Sequence, residues 1–135
     1  MTRFLLDTNS AGHYINRRHG VFELARLEVA KGNPIGIGIP VLAELVAGIE
    51  HSDSRERNMK SLKTALASLK LWPMDSPTAF EYGRLYAELA RRGRPIGIVD
   101  MMIAAIAMTL GSCTVVSTDN DFRAVPGLSV EDWRT

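Results

Sequence analysis

Cysteine is almost missing from this chain of 135 residues: Cys113 stands alone. No internal disulfide is possible and a thiolate metal cluster is excluded, so the lone thiol reads as a small buried hydrophobe in a reducing compartment, the cytoplasm being the plain expectation. Histidine is scarce too. His13, His19 and His51 fall outside any Ser-His-Asp or Cys-His arrangement, which removes the usual nucleophilic hydrolases. No apolar run is long and uncharged enough to span a bilayer, and Asp7 arrives before a signal-peptide core can develop, so no membrane partner is expected. Lysine is the rarer basic residue, at 4 against 12 arginines, while the net charge of +1 excludes a polycation. The arginines gather at Arg17-Arg18, Arg55/Arg57 and Arg91-Arg92/Arg94. Each cluster reads either as a solvated helix end or as a contact for phosphate, which arginine grips better than lysine does.

What is present fits a globular protein: 46% hydrophobic and 23% charged residues, with no repeat, low-complexity segment or linker. A single domain over residues 1–135 is expected. Residues 2–6 read as a buried first strand, 9–18 as a helix ended by Gly20, and Val21 to Lys31 as a largely packed helix. Thr8, Asn9 and Ser10 offer side-chain oxygens suited to capping the first helix. After the turn Gly32-Asn33-Pro34, Ile35-Gly36-Ile37-Gly38-Ile39 reads as a strand whose glycines admit close backbone or helix approach. Pro40 suits a helix start, and Leu42, Leu45, Val46 and Ile49 form an apolar stripe running to about Glu50. Helices over 54–69 and 77–92 flank a third strand within Leu69–Met74. The loop Gly93–Gly97 leads into a helix over Ile98–Leu110, then a fully buried strand at Cys113–Ser117 and a short edge strand at Leu128–Val130. Strands alternating with helices imply an α/β fold with a parallel, doubly wound sheet.

Four acids stand out. Asp7 follows Phe4-Leu5-Leu6 abruptly, and Asp119 follows Thr114–Ser117 in the same way, although alone it also reads as a turn residue or helix cap. Asp100 lies in a helix otherwise apolar all round, where burial would force it to be protonated, paired (with Arg94 as one partner) or metal-bound. Glu44 lies about one turn into its helix, with Ala47 and Gly48 leaving space over that surface; alone, it also reads as an exposed polar-face residue. Topology brings them together. Asp7 and Asp119 end strands, Glu44 begins the helix after strand two, and Asp100 begins the helix leading into strand four, so all four converge on one sheet edge. Four carboxylates repel one another and stay ionised together only with a cation between them. Oxygen-only donors favour Mg²⁺ or Mn²⁺ over Zn²⁺, and such ions activate water and neutralise phosphoryl oxygens. The residues read as a metal-dependent phosphodiesterase site.

Taken together, these residues make the chain resemble the PIN-domain family. The resemblance rests on Leu5-Leu6-Asp7-Thr8-Asn9, the early-helix Glu44, Gly97-Ile98-Val99-Asp100 with Met101–Ala105, and Ser117-Thr118-Asp119-Asn120-Asp121-Phe122. The closing Val125–Trp133 also resembles the toxin members of VapBC toxin–antitoxin modules. The family implies a PIN-like three-layer α/β/α fold with a central parallel sheet of four to five strands. It implies an Mg²⁺- or Mn²⁺-dependent endoribonuclease acting as a toxin, with Asp7, Glu44, Asp100 and Asp119 both catalytic and around the metal. Asp119 is preferred to Asp121, which would fix the loop before Phe122. Thr8, Asn9 and Ser117 would orient the carboxylates or hold waters. Implied partners are an RNA substrate, a small antitoxin and a second copy of the chain, in a homodimer and a toxin–antitoxin hetero-oligomer, with the helices over 54–92 as the contact surfaces.

Two other classes fit less well. A haloacid-dehalogenase-type phosphohydrolase wants an Asp where Asn9 stands and a lysine for the phosphoryl group. A phospho-acceptor receiver needs paired acids after strand one and an acceptor after strand three, and neither Thr8 nor Trp72-Pro73 supplies them. A catalytically silent scaffold would not need the four acids.

Overall fold

A computed structural model describes every residue from Met1 to Thr135. Its five strands are β1 (Arg3–Leu6), β2 (Ile35–Gly38), β3 (Lys70–Trp72), β4 (Cys113–Val116) and β5 (Ser129–Glu131). All pair in parallel in the order β3-β2-β1-β4-β5. Six helices flank the sheet: α1 (Thr8–Ile15), α2 (Val21–Ala30), α3 (Ile39–Glu50), α4 (Arg55–Leu66), α5 (Ser76–Arg91) and α6 (Ile98–Leu110). A short 3-10 helix follows β4 at Asn120–Ala124. This is the α/β/α arrangement expected, with five strands.

Strand β1 occupies the centre of the sheet, with two strands on either side. From β1 the chain steps outward through β2 to β3, then returns to β1's other side for β4 and β5. The connections after β1 and β4 therefore leave in opposite directions. A crevice opens at the C-terminal ends of two such strands, where open α/β sheets bind ligands. Leu6 of β1 is paired with Val116 of β4 at that point.

Burial is greatest along the sheet's middle. Leu5, Leu6, Ile37 and Val115 are fully buried, and Ala104, Ala105 and Ala107 let α6 pack closely against that layer. The glycines of β2 act as expected. A Cβ on Gly36 would run into the Lys70 carbonyl oxygen of β3, and one on Gly38 would stand 2.6 Å from Ile106 Cδ1 of α6. Gly38 thus lets α6 settle against β2. At the other end of the chain, Trp133 is buried with its ring 4.9 Å from that of Phe4 in β1, and Thr135 N–H donates to the His19 carbonyl at 2.8 Å.

Three helices differ from expectation. Helix α2 is not largely packed: only Val21 and Ala25 are buried, while Leu27 and Val29 are 60% and 55% exposed. Its apolar residues lie all round the helix, and only one side meets the sheet. Helix α3 buries only Val41, its stripe at Leu42, Leu45, Val46 and Ile49 being half-buried. Helix α6 becomes buried at Met101, whereas Ile98 is 65% exposed at its start.

Because β2 lies between two strands, Gly36→Ala must push β3 outward, an overpacking that costs roughly 1–3 kcal/mol. Thermal unfolding should show a clearly lowered Tm. An unchanged Tm would mean that β3 is not held in this register.

A carboxylate cleft at the crevice

Asp7 sits immediately beyond β1 and is only 5% exposed. It caps α1: one oxygen accepts the Ser10 N–H at 2.8 Å, where the positive end of the helix also favours an anion. The cap is therefore Asp7 itself rather than the side chains of Thr8, Asn9 or Ser10. Its second oxygen accepts the Ser117 hydroxyl at 2.6 Å, and its N–H continues the β1–β4 ladder to the Val116 carbonyl at 3.1 Å. Each oxygen of this buried carboxylate therefore has one donor.

Glu44 is exposed on α3 and accepts a hydrogen bond from the Thr8 hydroxyl. Asp100 stands half-buried in the first turn of α6. Asp119 caps the 3-10 helix by accepting the Asp121 N–H at 2.9 Å, and its own N–H donates to Ser117 Oγ at 2.9 Å. Asp7, Glu44, Asp100 and Asp119 line one open cleft of about 610 Å³, together with Thr8 and Asn9.

Asp121 has a larger place than the sequence pattern alone implies. Oxygens of Asp100, Asp119 and Asp121 lie within 4.8 Å of one another. The loop is capped by Asp119, whereas Asp121 is ion-paired with Arg94 at 2.6 Å. The pairing of Arg94 with Asp100 weighed from sequence does not form. The spacing Asp119-Asn120-Asp121 was the available signal, since a tight turn can direct both carboxylates to one side.

Charge at this edge is poorly balanced. Asp100 is pushed up to about 6, first by burial and then by repulsion from Asp119, Asp7, Asp121 and Glu44. Arg94–Asp121 is the one ion pair that any of the five acids makes. Hard oxygen donors with uncompensated negative charge are a donor set that Mg²⁺ or Mn²⁺ fits, and one that Zn²⁺, preferring nitrogen and sulfur, fits poorly.

Comparison with known proteins gives a consistent answer. The PIN domain model matches residues 4–128. The tRNA(fMet)-specific endonuclease VapC of Salmonella typhimurium is 34% identical, covering 98% of this chain and 99% of its own. The crystal structure of VapBC2 from Rickettsia felis, bound to a DNA fragment from their promoter, matches with a TM-score of 0.90 and 32% identity over 98% of this chain and 99% of that one. A structure of VapBC-5 from Mycobacterium tuberculosis, a member of the VapBC family of toxin–antitoxin systems, matches with a TM-score of 0.68 and 28% identity over 100% of both chains.

The crowding of acids can be checked without any ligand. Asp100 gains a proton on folding between its ordinary value of 3.8 and about 6, so its contribution to stability falls as pH rises through that window and stays unfavourable above it. Asp100→Asn removes the penalty. Discounted for solvent exposure, the gain is on the order of 1 kcal/mol at pH 8 and vanishes near pH 4. Calorimetry of the metal-free protein measures this directly, and a lower Tm for the variant at pH 8 would contradict it.

Proposed function

The chain belongs to the PIN-domain family, and from that membership we propose that it is a metal-dependent endoribonuclease, the toxin of a toxin–antitoxin pair. The meeting of Asp7, Glu44, Asp100 and Asp119 in one cleft, with Asp121 beside them, carries the reading. These acids come from separate elements, and no fold requirement gathers so many like charges at one edge.

Asp7, Glu44, Asp100 and Asp119 would hold the ion. An Mg²⁺ or Mn²⁺ ion held by these carboxylates would supply an activated water and charge neutralisation for phosphodiester hydrolysis. The chain's own contribution is positioning. Ser10 N–H and the Ser117 hydroxyl fix the two oxygens of Asp7, and the Thr8 hydroxyl orients Glu44. The Ser117 hydroxyl also takes the Asp119 N–H, so one oxygen sets the spacing of two acids. Asn9 lines the cleft with no side-chain partner of its own, leaving its amide for a water or the substrate.

An acidic cleft repels RNA, so the arginines must supply attraction away from the cut, and binding weakens as salt rises. The name of the Salmonella relative, an endonuclease specific for tRNA(fMet), supports RNA as the substrate class. The VapBC structures support a small antitoxin as partner, in a hetero-oligomer. Phe80 and Tyr86 on α5, 81% and 57% exposed, together with Leu27 and Val29 on α2, are the apolar side chains that the antitoxin and a second copy would cover. No helix is long and apolar enough to cross a membrane, and the cytoplasm, where RNA and a newly made antitoxin are at hand, is the proposed location.

Asp7→Asn and Asp100→Asn should each lower Mn²⁺- or Mg²⁺-dependent RNA cleavage more than about 100-fold, while circular dichroism stays that of the wild type. Full cleavage by either variant would sink the assignment. Ser117→Ala keeps the ligands and loosens them, for a loss of roughly 10–100-fold.

Independently of cleavage, Mn²⁺ at 100 times its Kd should stabilise the wild type by about 2.7 kcal/mol. Asp100→Asn should gain far less from the same titration, and equal gains in the two proteins would remove Asp100 from the metal site.

A further inference from the structure

On the far side of Glu44 the cleft continues into a second hollow of about 420 Å³, lined among others by Asn9, Gly12, His13, Asn16, Arg18 and Gly48. Thr8, Asn9 and Glu44 form walls of both spaces, so the two are contiguous. The hollow has no ordinary structural reason to be open. Gly12 lies inside α1 and Gly48 inside α3, where alanine is the better helix former. A Cβ on either glycine would meet no atom within 4 Å, so neither is there to let another part of the chain approach. Both leave space above their helices and face the same hollow.

The groups around that space are unspent. The side chains of Asn9, Asn16 and Arg18 make no hydrogen bond or ion pair within the chain, and the buried Nδ1 of His13 has no partner. Two amides and a guanidinium match the needs of one nucleotide. Amides read the donor and acceptor edges of an unstacked base, and arginine grips a phosphate. The volume falls in the range of roughly 300–1,000 Å³ typical of small-ligand pockets. Arg18 also places a cation where the acidic cleft itself offers none.

We propose that this hollow is a nucleotide subsite: it takes the RNA nucleotide next to the scissile phosphate, with Arg18 on its phosphate and Asn9 and Asn16 on its base edge. The proposal rests on the ribonuclease reading and adds to it the part of the protein that selects sequence. It makes Arg18, Asn16 and the two glycines specificity-determining residues, outside the carboxylate set.

The test uses the full-length protein with Mn²⁺ and a single-stranded RNA pool randomised around the cut. Arg18→Ala should raise KM about tenfold with kcat changed less than about threefold, and Asn16→Ala should flatten the base preference beside the cut. Gly48→Leu should raise KM while raising Tm, because it fills the hollow and removes a glycine from a helix. That opposition separates blocked binding from damaged folding. The same changes in an Asp7→Asn background, where RNA survives, should weaken binding by a similar factor in fluorescence anisotropy. Wild-type KM, affinity and base preference in all three variants would overturn the subsite and leave the ribonuclease reading standing. The same RNA behaviour with weakened binding of a partner protein would also overturn it and assign the hollow to that contact. A wild-type protein that leaves RNA intact would remove both readings.

Discussion

The Ser117 hydroxyl gives its single proton to Asp7 and receives the N–H of Asp119, and the geometry of the cleft depends on that one group. A buried carboxylate without donors costs several kcal/mol, which is enough to unseat a strand end in a small domain. With Ser10 N–H on one oxygen and Ser117 on the other, Asp7 can remain at the crevice between β1 and β4. The same hydroxyl anchors the turn that carries Asp119, and Asp119 caps the 3-10 helix that brings Asp121 to Arg94. Placement of three acids is thus connected through short, directional bonds rather than left to mobile side chains.

Against that ordering works repulsion. The acids stand close enough to repel one another, and Asp100 registers it most clearly because its partial burial and four neighbouring carboxylates act together. The protein answers only in part, with Arg94 on Asp121. An arrangement that is ordered by hydrogen bonds yet electrostatically unsatisfied is suited to binding a cation: geometry is prepared in advance, and the remaining charge supplies affinity. Stability given up at such a position is a recurring cost of a functional site.

Much of this was legible in the chain. Asp7 could be found because it interrupts an apolar strand, and Asp100 because it is the one acid in the run from Ile98 to Leu110. Alternation of strands and helices then sufficed to place both at one edge, since a parallel sheet sends every strand's C-terminal end the same way. What local pattern could not supply were contacts between distant segments. Arg94 and Asp121 are 27 residues apart, and whether Arg94 reaches Asp100 or Asp121 depends on how α6 and the β4 turn lie together. Helix α2 shows a different failure. Apolar residues on all of its sides suggested burial, but one helix on one sheet face can bury only one side. The hollow beside Glu44 was equally hidden, because Gly12 and Gly48 come to line one space only after α1 and α3 pack together.

The sheet order also bears on when the site can exist. Strand β1 is made first but sits in the middle, and the hydroxyl that holds Asp7 lies 110 residues further along. A chain still emerging from the ribosome carries Asp7 and Glu44 well before Asp100, Ser117 and Asp119. Nascent fragments therefore contain no complete cleft. A cleft proposed to cut RNA is assembled only after Ser117 and Asp119 have joined the growing chain, itself made by a machine built of RNA.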